Sequence, residues 1–263
     1  ACIETNHKAV IALLAQGASP NLSHMTERDG EHHAVAPLQA MLMAVSNGDA
    51  TPRMLRKQVV RIAKTLFEAG AQIGSLERDL LLNTVALDAD ELLDVLVAYG
   101  ARVQRRHGYE LMSLAMANQS TLMINALVRQ SVNPNMRDAH FSTPFLDWCS
   151  GFLRSRRTVS TQAPRDPQIL SKIIQQFMES GVDINLPDNL GATPLMRALV
   201  AGENEIAKAL ILAKANTELL LRNGVGALHL AAACGNQDFL RFLSTQEIPT
   251  SDLKRLRIKK MQP

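Results

Sequence analysis

The strongest constraint on this chain is a period of 33 residues near its C-terminal end. Thr193-Pro194-Leu195 aligns with Gly226-Ala227-Leu228, and Gly202 aligns with Gly235, with an offset of 33 at both places. Short loops carry the phase backward, starting at Gly17, Gly70, Gly100, Ser131, Gly181, Lys214 and Glu247, in steps of 53, 30, 31, 50, 33 and 33. Four residues before each start stand Leu13, Leu66, Leu96, Leu127, Phe177, Leu210 and Leu243. Eight before stand Ala9, Ile62, Leu92, Met123, Ile173, Ile206 and Phe239. All are apolar in a chain that is only 46% hydrophobic, so the phasing is not accidental. A spacing of four puts both columns on one helix face. A unit of this size cannot bury that face alone, and neighbours must stack to share one core. The pattern predicts an all-α solenoid of about seven helix-turn-helix units over 1–247.

These residues resemble the ankyrin repeat. The best unit matches its pattern at Asp188, Gly191, Thr193, Pro194, Leu195, Ala198, Gly202, Ile206 and Leu210. The last unit keeps Leu228, His229, Ala231, Ala232 and Gly235 but loses the Thr-Pro pair. Thr193 and Thr143 are expected to cap first helices, with Pro194 and Pro144 at the first helical position, where a missing N–H costs nothing. Gly17, Gly70, Gly100 and Gly181 suit left-handed helix ends. The resemblance implies that His229 bonds neighbouring backbone. It is strong over 138–245 and weak before, where Asp79-Leu80-Leu81 and Glu110-Leu111-Met112 replace Thr-Pro-Leu and short, irregular turns are expected. Ala1 to Gln16 reads as the second helix of a unit.

Insertions in such an array leave through loops. The 20 extra residues of the first long step fall around 22–57, shared between 22–34 and 47–57; Glu27 to His33 is expected as an extended polar finger, and Pro52 can restart a helix. The 17 of the second fall in 150–167, which carries Arg154, Arg156 and Arg157. That cluster reads as a solvated loop or as a docking point for an acidic partner. Nucleic acid is disfavoured because Phe152 alone makes no stacking platform beside it. The basic tail 248–263 is expected as a cap; a calmodulin-type or membrane-surface helix is its alternative. Trp148 falls in phase with Ala198 and is expected either tucked into space opened by the insertion or facing a partner.

Composition narrows the chemistry. Aromatic content of 4% argues against a large sandwich or barrel, and there is no apolar run long enough to span a membrane. Net charge +3 does not by itself imply nucleic acid. Cys2, Cys149 and Cys234 are far apart and odd in number, which suggests reduced thiols in a reducing compartment. His24, Glu31, His32 and His33 make a poor metal set, since adjacent histidines cannot share a face of a regular element. No phosphate loop, HExxH or nucleophile-base spacing is present, and no cofactor or catalytic residue is expected in this chain.

The expected function is binding of another protein by a chain that is a monomer alone. Ankyrin arrays present turn tips and first helices, and by phase the candidate contacts are Ala139, His140, Asn189, Leu190, Ala192, Val200, Arg222, Asn223 and Val225, with Arg154, Arg156 and Arg157. A second expectation comes from layout. Irregular, insertion-bearing repeats that start mid-unit look like the C-terminal part of a bacterial secreted effector. The arginine ADP-riboxanase effectors have that layout, with an NAD-using domain before ankyrin repeats that capture host caspases. That resemblance implies a host caspase as partner and the host cytoplasm as location; otherwise the cytoplasm is expected.

Overall fold

The computed structural model describes residues 7–21, 24–28, 31–46, 53–74, 77–151 and 166–245. The tail 248–263 and the arginine cluster lie outside them. The chain divides into two compact units, Ala1–Val132 with Arg157–Thr161, and Asn133–Arg156 with Gln162–Pro263.

In the first unit, α1 (His7–Ala15) stands at the position of a second helix. Three pairs follow it: α2 (Pro37–Ser46) with α3 (Arg53–Glu68), α4 (Glu77–Ala86) with α5 (Asp90–Ala98), and α6 (Arg105–Ala117) with α7 (Thr121–Arg129). Second helices stack in the order α1, α3, α5, α7, and first helices in the order α2, α4, α6. In the second unit the pairs are α8 (Pro144–Cys149) with α9 (Pro167–Glu179), α10 (Pro194–Val200) with α11 (Asn204–Leu212), and α12 (Ala227–Ala233) with α13 (Gln237–Thr245). Here α9, α11 and α13 stack, as do α8, α10 and α12.

Among the described residues one pair of strands departs from helix. β1 (His24–Arg28) and β2 (Glu31–Val35) pair antiparallel, from His24 opposite Val35 to Arg28 opposite Glu31. The described residues of the finger expected over Glu27 to His33 thus lie in paired strands. The Asp29-Gly30 dipeptide between the strands is a strong two-residue hairpin signal.

The apolar columns make the core. Leu66, Leu96, Leu127, Phe177, Leu210 and Leu243 are buried, as are Ile62, Leu92, Met123, Ile206 and Phe239. Leu13 is 47% exposed; α1 packs on α3 and buries Val10 instead. Ala9 and Ile173 are only half-buried. In α9, Ile174 takes the buried place expected for Ile173, alongside Leu170 and Phe177. Trp148 is buried: it stacks on Phe145 at 5.7 Å and meets Phe177 edge-on at 5.6 Å. It is therefore core and not a partner-facing anchor.

The helix starts are capped as the residue types require. Thr143 and Thr193 accept from the backbone N–H of Leu146 and Met196, with Pro144 and Pro194 in the first turn. Where Thr-Pro is lost, Nδ1 of His229 reaches back to accept from the N–H of Gly226 at 3.3 Å. α6 begins at Arg105, five residues before the Glu110 that holds the threonine phase, so helix replaces turn there.

Side chains tie successive loops together. Asn21 donates to the Gly70 carbonyl at 2.8 Å and accepts from the Gln72 N–H at 2.8 Å. Asn135 repeats this with Gly181 and Asp183. Asn185 accepts from the Asn216 N–H at 2.8 Å. Between the α4 and α6 loops no asparagine is available, and the Glu77 carboxylate does the work. It accepts from the Arg102 N–H at 2.6 Å and from Gln104 Nε2 at 3.0 Å.

Candidate protein-binding surface

Three turn tips of the second unit are built on one plan. In the first, Asp138 Oδ1 accepts from the N–H groups of His140 and Ser142, both at 2.8 Å. The Asp138 N–H donates to the Ser142 carbonyl, and the Phe141 N–H to the Asp138 carbonyl. The second tip repeats this. Asp188 Oδ1 accepts from Leu190 at 2.8 Å and Ala192 at 2.9 Å, while Arg197 of α10 holds the other carboxylate oxygen, its Nε at 2.9 Å. In the third, Leu221 replaces the aspartate, and Asn223 Oδ1 accepts from the Val225 N–H at 3.1 Å. Neighbouring tips are joined, since the Arg222 N–H donates to the Leu190 carbonyl at 3.1 Å. Leu220 also bridges to Gly226.

This plan turns the anions inward. The Asp188 side chain is almost fully buried, and Asp138 is spent on its own turn's N–H groups. The cations stay outside: Arg137 donates to the Phe141 carbonyl at 3.0 Å and remains exposed, and Arg222 is exposed.

The candidate contacts divide accordingly. Ala139, His140, Asn189, Leu190, Arg222 and Asn223 are exposed at the tips, and Val200 is exposed at the end of α10. Val225 is half-buried. Ala192 is a correction. It is 8% exposed, with both its N–H and its carbonyl engaged by Asp188, so it is a strut of the turn and not a contact. Arg154, Arg156 and Arg157 lie outside the described residues.

Phase alone missed Phe141. It aligns with Gly191 and Gly224, and all three have positive φ, at 60°, 83° and 81°. The side chain is 55% exposed. The signal was available, because any residue other than glycine at that position of the repeat breaks its backbone rule. Leu220, also exposed, was missed too.

Other chemistry is sparse. Among the described residues no three of His, Cys, Asp and Glu gather as a metal site, and no helix is long and apolar enough to cross a membrane. Burial pushes the Cys149 thiol well up from its usual range, leaving it protonated and inert, whereas Cys234 is exposed.

Comparison with known proteins agrees with this architecture. A family profile described as "Ankyrin repeats (3 copies)" matches residues 168–252. The crystal structure of the human ASB11 ankyrin repeat domain superposes with a TM-score of 0.61 at 19% identity, covering 94% of this chain and 96% of that one. The zebrafish Notch-regulated ankyrin repeat-containing protein B is 32% identical over 77 residues, which is 29% of this chain and 69% of that protein. Human ankyrin repeat domain-containing protein 37 is 37% identical over 68 residues, 26% of this chain and 43% of its own length. A probable E3 ubiquitin-protein ligase of rice, XBOS32, is 39% identical over 82 residues, 30% of this chain but only 16% of its own length. The chain belongs to the ankyrin-repeat family.

Proposed function

We propose that this chain is a protein-binding module that engages its partner through the turn tips and exposed first-helix ends of the second unit. One observation carries this reading. Two of the three tips spend an aspartate on holding themselves rigid, while apolar and cationic groups are left exposed. A surface fixed in advance loses little conformational entropy on binding. The helical core uses none of Leu190, Asn223, His140 or Val200, so these positions are free to specify a partner.

The test is capture of partners from a lysate by the full chain and by the triple variant Asn189→Ala, Leu190→Ala, Asn223→Ala, followed by titration of each captured protein. The variant should weaken binding by at least about 1 kcal/mol, with stability changed by no more than roughly 0.5 kcal/mol. Equal affinity for every captured protein would refute the tip surface. Recruitment of a host caspase by a bacterial effector rests on layout alone, and the relatives above, from zebrafish, human and rice, lend it no support.

A further inference from the structure

The three long turn tips of the second unit all take left-handed backbone at one position of the repeat, with glycine at 191 and 224 but with phenylalanine at 141. A bulky residue at positive φ is a true outlier, because its Cβ crowds the following carbonyl. Strain of this kind persists where the surroundings over-determine it and marks candidate functional positions. The surroundings here are explicit: the Phe141 N–H donates to Asp138, and its carbonyl accepts from Arg137. The ring adds little to the core, since more than half of the residue faces solvent. Glycine would fit the backbone better, so stability does not explain the phenylalanine.

We propose that Phe141 is a recognition anchor. With Leu190 on the next tip, flanked by Arg137 and Arg222, it takes an acidic segment of another protein that carries a large apolar side chain. Charge complementarity sets the partner's sign. The carboxylates of Asp138 and Asp188 are turned into their own turns, while Arg137 and Arg222 are exposed. Apolar anchors ringed by steering charges are the usual anatomy of a binding hot spot. The inference rests on the binding-module reading above and sharpens it to one residue and one partner chemistry.

Phe141→Gly separates binding from folding, because it removes the ring and relieves the backbone at once. The probe is a displayed library of random-sequence peptides, selected against the full chain, with enriched peptides synthesised and titrated by fluorescence anisotropy. Enriched peptides should pair Asp or Glu with large apolar residues. Their affinity should fall about tenfold or more in Phe141→Gly, while the melting temperature stays level or rises. Phe141→Asn, which also tolerates left-handed backbone, should behave alike and guards against a peculiarity of glycine. Peptides that bind wild type and Phe141→Gly equally would overturn the anchor but leave the binding-module reading standing. Enrichment of basic peptides, or none at all, would overturn the proposed partner chemistry. Loss of partner capture by the triple variant is a separate readout, so the two ideas can fail independently.

Discussion

Between α9 and α10 the chain spends residues 180–193 on a turn; between α5 and α6 it spends only 99–104. The long turn carries a buried aspartate, a threonine cap, a proline start and a glycine at the tip. The short one has almost none of these. Its first helix starts early at Arg105, the N-cap Gln104 makes no side-chain cap bond, and a glutamate from the preceding loop ties it down. Yet the helices on either side are equally well buried. The contrast separates two problems that a repeat must solve. Apolar columns stack the helices, and a handful of polar side chains shape what projects beyond them. A shortened turn keeps the stack and gives up the projecting surface. This contrast is why the proposed binding surface is placed on the second unit.

The largest expected effect tests whether the cores are truly alike. Leu210→Ala in the second unit and Leu96→Ala in the first should each cost about 2–5 kcal/mol, since both side chains are fully buried at the same phase. Chemical denaturation followed by helix ellipticity reports both units. Trp148, the single tryptophan, sits in the second unit and reports that one by fluorescence. A small cost for Leu96→Ala alone would mean that the short-turn repeats are loosely packed, and the comparison would break.

Next in size is the turn itself. Asp188→Ala should cost about 2–3 kcal/mol, because it leaves the buried Ala192 N–H without an acceptor and Arg197 without its anion. Asp79→Ala, at the helix start of a short-turn repeat, should change stability by less than about 0.5 kcal/mol, as its side chain is half exposed and its ion pair to Arg78 is long, at 3.9 Å. Equal costs in urea titrations would show that the long turn is no more built than the short one.

The two regions were not equally legible in the sequence. The columns announced the helices in both, because burial selects apolar residues wherever helices stack. The long turns were also readable, since Asp188, Thr193-Pro194 and Gly191 each answer a local backbone need. Glu77 was not readable as a latch. A carboxylate on a longer stem reaches the Arg102 N–H that an asparagine would serve elsewhere, and only the fold shows that the two are equivalent. Ala192 was misread as a contact because phase counts residues and does not see which backbone groups are paired. Leu13 was placed in the core because it shares the column's phase, whereas α1 buries Val10.

The latch comparison follows in size. Asn185→Ala and Glu77→Ala should each cost about 1 kcal/mol, the usual worth of a net hydrogen bond. Glu77→Gln should recover most of that loss, because an amide oxygen still accepts from the Arg102 N–H. Thermal melts of the three variants decide whether carboxylate and amide are interchangeable here. A Glu77→Gln variant as weak as Glu77→Ala would make the negative charge, and not the acceptor, the essential feature.

The smallest effect concerns the bend between the two helices of a pair. Gly202 and Gly235 take it with positive φ in the second unit, while the first unit uses Asp88 at 53° and Gln119 at 56°. Left-handed backbone costs a residue with a Cβ about 1–2 kcal/mol, and glycine's extra freedom when unfolded returns about 0.5–1 kcal/mol of that. Gln119→Gly should therefore stabilise the first unit by roughly 0.5 kcal/mol. Asp88→Gly should gain less or nothing, because Asp88 also accepts from Arg56 at 2.9 Å, through its carboxylate, and at 2.8 Å, through its carbonyl. Only the carboxylate contact is lost, and a partly exposed ion pair is worth under about 1 kcal/mol, enough to cancel the relief. The difference between the two variants, read as the shift in urea midpoint by ellipticity, isolates that ion pair from the backbone term common to both. Equal stabilisation would mean that the Arg56 contact contributes nothing. Destabilisation by Gln119→Gly would mean that the bend in the short-turn repeats is held by something other than local backbone preference.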